Sequence, residues 1–211
     1  MNKSHPVKAS SSAVVATIAW QGSDTELLRR LQESTSAAAL LYDRFAEDVN
    51  RTVRRTLGPD QEHDDVVHEV FIQLLRSVHR VREAEKLRGW VISVAINTVR
   101  GVLRKRTIFR RFHVGKEPPE MSSAAEDHAG RDLLRRTFAV LNRLPVELRL
   151  AFTLRYLESH TLPKVAEHLG CSLATAKRRL KKAEQRFTAL VSDDPALYEL
   201  MAEGGRFGGG Q

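Results

Sequence analysis

Apolar residues along this chain recur at intervals of three and four, the repeat of an α-helix. Leu27, Leu28 and Leu31 begin the pattern after Ser23-Asp24, which reads as an N-cap, and Leu40, Leu41, Phe45 and Val49 continue it. Gly58-Pro59 breaks it. A second helix is predicted from near Asp64. Its apolar face is Val67, Val70, Phe71, Leu74, Leu75 and Val78, and Asp64 and Asp65 stand in its first turn, where the macrodipole favours anions. A connector without apolar periodicity covers Arg80 to Lys86. A third helix is predicted from about Leu87 to Arg106, with Leu87, Trp90, Val91, Val94, Ala95, Thr98 and Val102 as its buried stripe. Gly101 inside it costs about 1 kcal/mol relative to alanine.

The periodicity lapses between residues 113 and 131, where Gly115, Pro118, Pro119, Ser122, Ser123 and Gly130 mark a linker. Helical spacing returns from Leu133 to Leu144, restarts at Pro145 and runs to about Leu157. Two further segments follow, Pro163 to Leu169 and Leu173 to Val191. The expected organisation is a flexible leader (1–23), a helical domain (24–112), a flexible linker (113–131), a second helical domain (132–191) and a Gly-rich tail (192–211) read as disordered. There is no internal repeat. The fold class is all-α, in two helical domains.

Composition narrows the function classes. With 42% apolar residues in 211, the chain can bury real cores. Its formal net charge of +8 points to a polyanionic partner, nucleic acid or an anionic membrane surface. One cysteine, Cys171, precludes a disulfide within the chain and fits a reducing cytoplasm. No apolar run approaches the roughly 20 residues that span a bilayer, so no membrane insertion is expected. The mildly apolar stretch Ala13 to Trp20 is interrupted by Thr17 and Gln21 and lacks a small-residue cleavage site.

The most specific local pattern is Thr161 to Phe187. Thr161 can cap a helix whose first turn holds Pro163, a place where the missing N–H has no helical partner anyway. Val165, Ala166 and Leu169 face inward, Gly170 can take the left-handed conformation that ends a helix, Cys171 is a small apolar plug, and Ser172 caps the next helix. There Ala176, Leu180, Ala183 and Phe187 share one face, leaving Thr175, Arg178, Arg179 and Lys182 on the other side. A short helix, a tight turn and a basic second helix are the parts of a major-groove reader. Arginine can fork onto guanine edges or clamp phosphate, and lysine mostly holds phosphate. The competing reading is a solvated basic face, but only Glu184 opposes six cations between 177 and 186.

The first domain carries two more candidate surfaces. Asn97, Arg100 and Arg104 share a face of the third helix, and Lys105, Arg106, Arg110 and Arg111 extend its charge. The Arg80–Lys86 connector has no aromatic residue on which a base could stack. On the second helix Asp65, Glu69 and Gln73 align at i, i+4 and i+8 with His68 beside them. That stripe is either a protein-docking surface or a solubilising face.

Taken in order, these segments resemble the sigma-70 family of bacterial RNA polymerase sigma factors, specifically its small extracytoplasmic-function (ECF) group. Leu41-Tyr42-x-x-Phe45, Asp64 to Phe71, Trp90 to Asn97 and Leu103-Arg104-Lys105-Arg106 are similar to region two. Leu144-Pro145-x-x-x-Arg149-x-x-Phe152, Leu154 to Glu158 and Val165 to Ala183 are similar to region four. The resemblance covers roughly residues 24–112 and 132–190. It implies a polymerase-binding helix carrying Asp65, His68, Glu69 and Gln73, with Phe71 on its core side. It also implies a minus-ten surface of Asn97, Arg100, Arg104, Lys105 and Arg106, and a minus-thirty-five recognition helix with Ser172, Thr175, Lys177, Arg178, Arg179 and Lys182. Core RNA polymerase, promoter DNA and an anti-sigma factor are the implied partners. No catalytic residue, metal site or cofactor is implied. Several positions depart from the family pattern: His68 where glutamine is usual, Ile96 for a basic residue, Gly101 for aspartate, and Ala174 and Ala176 for glycine and valine.

Two other readings use the same residues. A helix-turn-helix regulator acting without polymerase needs a sensing or receiver domain, and residues 24–112 show no strand–helix alternation for one. A metal-dependent nuclease or recombinase would use Asp64, Asp65 and Glu69, but an adjacent acid pair at a helix start is more often a cap, and no further acid cluster completes the site. His160, His168 and Cys171 lack a known zinc spacing. No Ser–His–Asp order or phosphate-binding glycine loop occurs.

Overall fold

The computed structural model describes residues 22–33, 37–112, 128–194 and 197–199. Most of the expected leader, linker and tail lies outside the described residues. Among those residues are eight α-helices and no strand.

Helix α1 (Asp24–Glu33) starts where Ser23 Oγ accepts the Glu26 N–H at 3.2 Å, and it buries Leu27, Leu28 and Leu31. Arg44, donating to Asp24 at 2.9 Å, ties it to α2 (Ala38–Leu57). Leu41, Phe45, Val49, Val53 and Leu57 form the buried stripe of α2, and Gly58 ends it at φ 84°. Helix α3 (His63–Ser77) buries Val66, Val67, Val70, Phe71 and Leu74. Two single 3₁₀ turns, Val78–Arg80 and Ala84–Lys86, occupy the connector and lead into α4 (Leu87–Phe112).

The stripe of α4 differs from the one its sequence suggests. Leu87, Val91, Ala95, Ile96, Val99 and Leu103 are buried, whereas Trp90, Val94, Thr98 and Val102 are half-exposed. Helix α4 packs on α2 and α3 on one side and on α6 and α7 on another, which widens its buried arc. Ile96, one of the departures from the family pattern, is a core residue here.

The second lobe comprises α5 (His128–Leu141), α6 (Val146–Phe152), α7 (Leu162–Leu169) and α8 (Leu173–Val191). Helix α6 continues through a wide π-turn, Thr153–Leu157, closed by the Glu158 N–H on the Thr153 carbonyl at 3.0 Å. Phe138, Leu141, Leu144, Phe152, Ala183, Phe187 and Val191 form this lobe's own core, with Phe152 and Phe187 stacked at 4.5 Å.

The lobe also has a second apolar face. Leu150, Leu154, Val165 and Leu169 are continuous with the core of α1–α4. Burying a side chain of that size contributes about 1.5–3 kcal/mol, so the seam between the lobes is apolar at its centre. Polar ties surround it. Arg149, 2% exposed, donates through Nη2 to the carbonyls of Thr56 and Leu57 at 3.0 and 2.8 Å. These are orphan carbonyls at the C-terminus of α2, where a cation is favoured. Gly58 lies against Phe138 of α5 so closely that a Cβ there would come within 2.4 Å of the ring. Arg55 donates to the Leu157 carbonyl at 2.9 Å, and Ser93 meets His168 Nδ1 at 2.8 Å.

Candidate nucleic-acid interface

The turn between α7 and α8 is built by backbone chemistry. Gly170 is left-handed at φ 60°, ψ 43°. Its N–H bonds to the Glu167 carbonyl, and the Cys171 N–H to the Ala166 carbonyl, both at 3.0 Å. Nothing stands within 4 Å of where its Cβ would be, so glycine is required there by conformation and not by space. Ser172 Oγ accepts the Thr175 N–H at 3.2 Å and donates to Thr175 Oγ1 at 3.0 Å. Both hydroxyls therefore serve the start of α8. Thr161 stands at the N-cap of α7 but makes no side-chain capping bond, a difference from the sequence expectation. Pro163 fixes that first turn instead.

With Ala176, Leu180, Ala183 and Phe187 buried, α8 leaves Lys177, Arg178 and Lys182 exposed. Arg179 is different. It is half-buried, and its Nη1 lies 3.0 Å from Glu147 Oε2 of α6.

Helix α4 presents the other basic face. Asn97 is exposed and accepts from Arg100. Arg100 is half-buried, donates to the Leu169 carbonyl at 3.3 Å and lies 3.4 Å from Glu147 Oε1. Burial pulls its pKa below the usual arginine value, an effect the Glu147 charge opposes. Arg104 donates to the same Glu147 oxygen at 2.7 Å. Arg106 turns away from that face and bonds to Asp60, at 2.9 Å through Nη2, and to Glu62. These bonds hold its pKa above the usual value, and the pair braces the 58–62 turn against α4. Among Arg100, Arg104, Lys105 and Arg106, only Lys105 is both exposed and outside these ion pairs.

On α3, Asp65 and His68 are exposed, and Gln73 donates to Glu69 across one helical turn. Phe71 is buried against Tyr42, ring centroids 4.7 Å apart. A groove between α3 and α4 is lined by Glu69, Gln73, Arg80, Asn97, Gly101 and Lys105. It joins residues from two surfaces that looked separate in sequence, and it adds Arg80.

Sequence reasoning missed Glu147. Its role comes from packing, because its three arginine partners lie on α4 and α8. Among the described residues no three of His, Cys, Asp and Glu gather as a metal site, and no helix is long and apolar enough to cross a membrane.

Two helical lobes, the second ending in a basic helix-turn-helix, define a DNA-binding transcription protein as the class. Comparison with known families and proteins gives the rest. Residues 41–108 match the model of Sigma-70 region 2, and residues 134–187 match that of Sigma-70, region 4. The ECF RNA polymerase sigma-E factor of Haemophilus influenzae is 27% identical over 188 residues, covering 80% of this chain and 95% of that protein. The RNA polymerase sigma-H factor of Pseudomonas aeruginosa is 27% identical over 203 residues, covering 87% and 98%. Two solved structures share the fold. CnrH, in complex with the cytosolic domain of CnrY, has a TM-score of 0.56 at 21% identity and covers 81% of this chain and 98% of that one. The sigma factor RpoE of Bartonella quintana, in complex with the anti-sigma factor NepR, has 0.53 at 17%, covering 70% and 92%. The chain belongs to the sigma-70 family, as an ECF RNA polymerase sigma factor. That family initiates transcription and is non-enzymatic. The regulator that acts without polymerase is not favoured.

Proposed function

We propose that the two lobes divide promoter recognition between them, with α3 as the polymerase dock. The observation that carries this is the contrast of charge on one compact scaffold: an acidic, hydrogen-bonded stripe on α3 and cationic faces on α4 and α8. In this reading Asp65, His68, Glu69 and Gln73 meet core polymerase. Asn97, Arg100, Arg104 and Lys105 meet the minus-ten element, with Arg106 holding the α4 end in place. Thr175, Lys177, Arg178, Arg179 and Lys182 meet the minus-thirty-five duplex, and Ser172 caps the helix that carries them. Phosphate contacts set register, and the arginines carry what base discrimination there is.

The chain itself performs no covalent chemistry in this account and works in the cytoplasm. An anti-sigma protein is the expected regulator, supported by the Bartonella quintana relative solved with one. The test is equilibrium binding of the purified chain to core polymerase. Wild type is expected to bind and Glu69→Lys to bind weakly. Equal affinities remove α3 as the dock.

A further inference from the structure

Helix α1 lies outside the matched family segment, which begins at residue 41, yet it packs on the connector between α3 and α4. Leu28 and Leu31 of α1 share a core with Val78 and Val81, which are 4% and 7% exposed. His79 and Arg80, between those two valines, are exposed, and so is Arg82 just after them. Burying the valines therefore throws the cations outward. Arg80 lines the groove between α3 and α4 with Glu69, Gln73, Asn97 and Lys105.

A single side chain directs the backbone at this point. Val81 is extended, at φ −79° and ψ 122°, where the chain leaves the first turn. Its N–H donates to the Val78 carbonyl at 3.0 Å, inside that turn. Its carbonyl accepts from Gln32 Nε2 of α1 at 3.0 Å. The peptide that Gln32 holds joins Val81 to Arg82, so it stands between the two exposed arginines. Beyond it Glu83 is extended again, until the Lys86 N–H closes the second turn on the Glu83 carbonyl at 3.1 Å. Nothing in the sequence marks Gln32, because its partner lies 49 residues away.

We infer that Gln32 is a positioning residue for promoter reading: α1 splints the connector, so that Arg80 and Arg82 stand preset beside the groove when single-stranded DNA arrives. The inference rests on the reading of the α4 face from Asn97 to Lys105 as the minus-ten surface. Both arginines carry long side chains on a short connector with extended residues on either side of Arg82 and no aromatic anchor. Ordering such a backbone costs conformational entropy. That cost falls on DNA binding when the connector is loose, and on folding when α1 has already set it. Arginines set in this way meet phosphate oxygens without first having to be gathered.

Gln32→Met keeps the length and neutrality of the side chain and removes the donor. Hydrogen exchange across residues 79–86 of the full chain reads the connector directly. The variant is expected to exchange about three- to tenfold faster there, the effect of one lost hydrogen bond, with the exchange of α4 unchanged. Fluorescence anisotropy of a labelled mixed-sequence single strand of about 20 nucleotides, and of the same sequence as a duplex, reads DNA binding. Gln32→Met is expected to weaken single-strand binding about two- to fivefold. Duplex binding, which α8 carries in the proposed reading, is expected to stay unchanged. Arg80→Ala combined with Arg82→Ala is expected to weaken single-strand binding at least as much. Adding Gln32→Met to that pair is expected to cause no further loss, because the splint acts only through the two arginines.

Unchanged exchange across residues 79–86 overturns the inference, and so does a further loss when Gln32→Met is added to the arginine pair. An equal loss on single strand and duplex overturns it as well, since Gln32 would then support the fold as a whole and not the connector. The proposed function fails in a different pattern. If Lys105→Ala and the arginine pair both leave single-strand binding unchanged, the minus-ten surface lies elsewhere and the inference falls with it. If they weaken binding while Gln32→Met neither loosens the connector nor weakens binding, the minus-ten reading stands and Gln32 has no part in it.

Discussion

Ser93 of α4 and His168 of α7 share a hydrogen bond of 2.8 Å across the seam between the two lobes. Ser93 Oγ also lies 2.9 Å from the Gly89 carbonyl, so a neutral imidazole completes a chain that ends on α4 backbone. His160 packs edge-on against His168 at 5.0 Å.

This pairing sets a pH dependence. Burial, and then the charge of His160, pull the His168 pKa from 6.5 down to about 4, with Lys164 adding to the effect and Glu167 opposing it. His160 is lowered too, by burial and Lys164. A histidine whose pKa is depressed on folding stabilises the native state above its unfolded pKa. That stability falls as the pH drops through the window from 6.5 to about 4, because the unfolded chain binds the proton first. The loss for His168 is at most about 3 kcal/mol. Thermal melts at pH 7.5 and pH 5 are expected to show wild type losing stability on acidification and His168→Gln losing markedly less. Parallel losses would mean that other groups govern the acid limb.

Gly170→Ala is expected to destabilise the helix-turn-helix by about 1–2 kcal/mol, the cost of a left-handed conformation for an L-residue. Gly170→Asn is expected to cost less, since asparagine tolerates that region. Chemical denaturation of the three proteins gives the order directly. Equal midpoints would show that the turn relaxes.

Arg149→Met is expected to cost about 2–4 kcal/mol. The substitution keeps the stem but strands the Thr56 and Leu57 carbonyls in a buried seam. The measurement is the melting temperature, together with protease sensitivity at the end of α2. A melting temperature within a degree of wild type would remove Arg149 as a tie between the lobes.

On DNA, Arg178→Ala is expected to weaken binding to a cognate promoter by about 1–3 kcal/mol if that side chain reads bases. Arg179→Ala is expected to weaken it less in the isolated chain, because Arg179 must first leave Glu147. Titrations against cognate and scrambled duplexes separate the cases. Equal losses on both duplexes assign the contact to phosphate.

The sequence made some features legible because they are local. Helix α8 spans Leu173–Val191 as its periodicity predicts, and Gly170 and Ser172 adopt the capping geometries their chemistry favours. Those signals need only neighbours within a turn. The α4 stripe was half legible: Leu87, Val91 and Ala95 are buried, but Ile96, Val99 and Leu103 complete it, because α6 and α7 cover a flank that a one-sided amphipathic helix would leave to water. Arg106 read as part of a continuous basic face, and the fold pairs it with Asp60 and Glu62. Glu147 carried no local signal at all, since its partners are placed by tertiary packing.

The most direct test of the central claim is run-off transcription with purified core polymerase and a genomic promoter library, with this chain added or omitted. The account predicts a defined set of new transcripts that start only when the chain is present and that share an upstream sequence. Transcripts with unchanged start sites would contradict it.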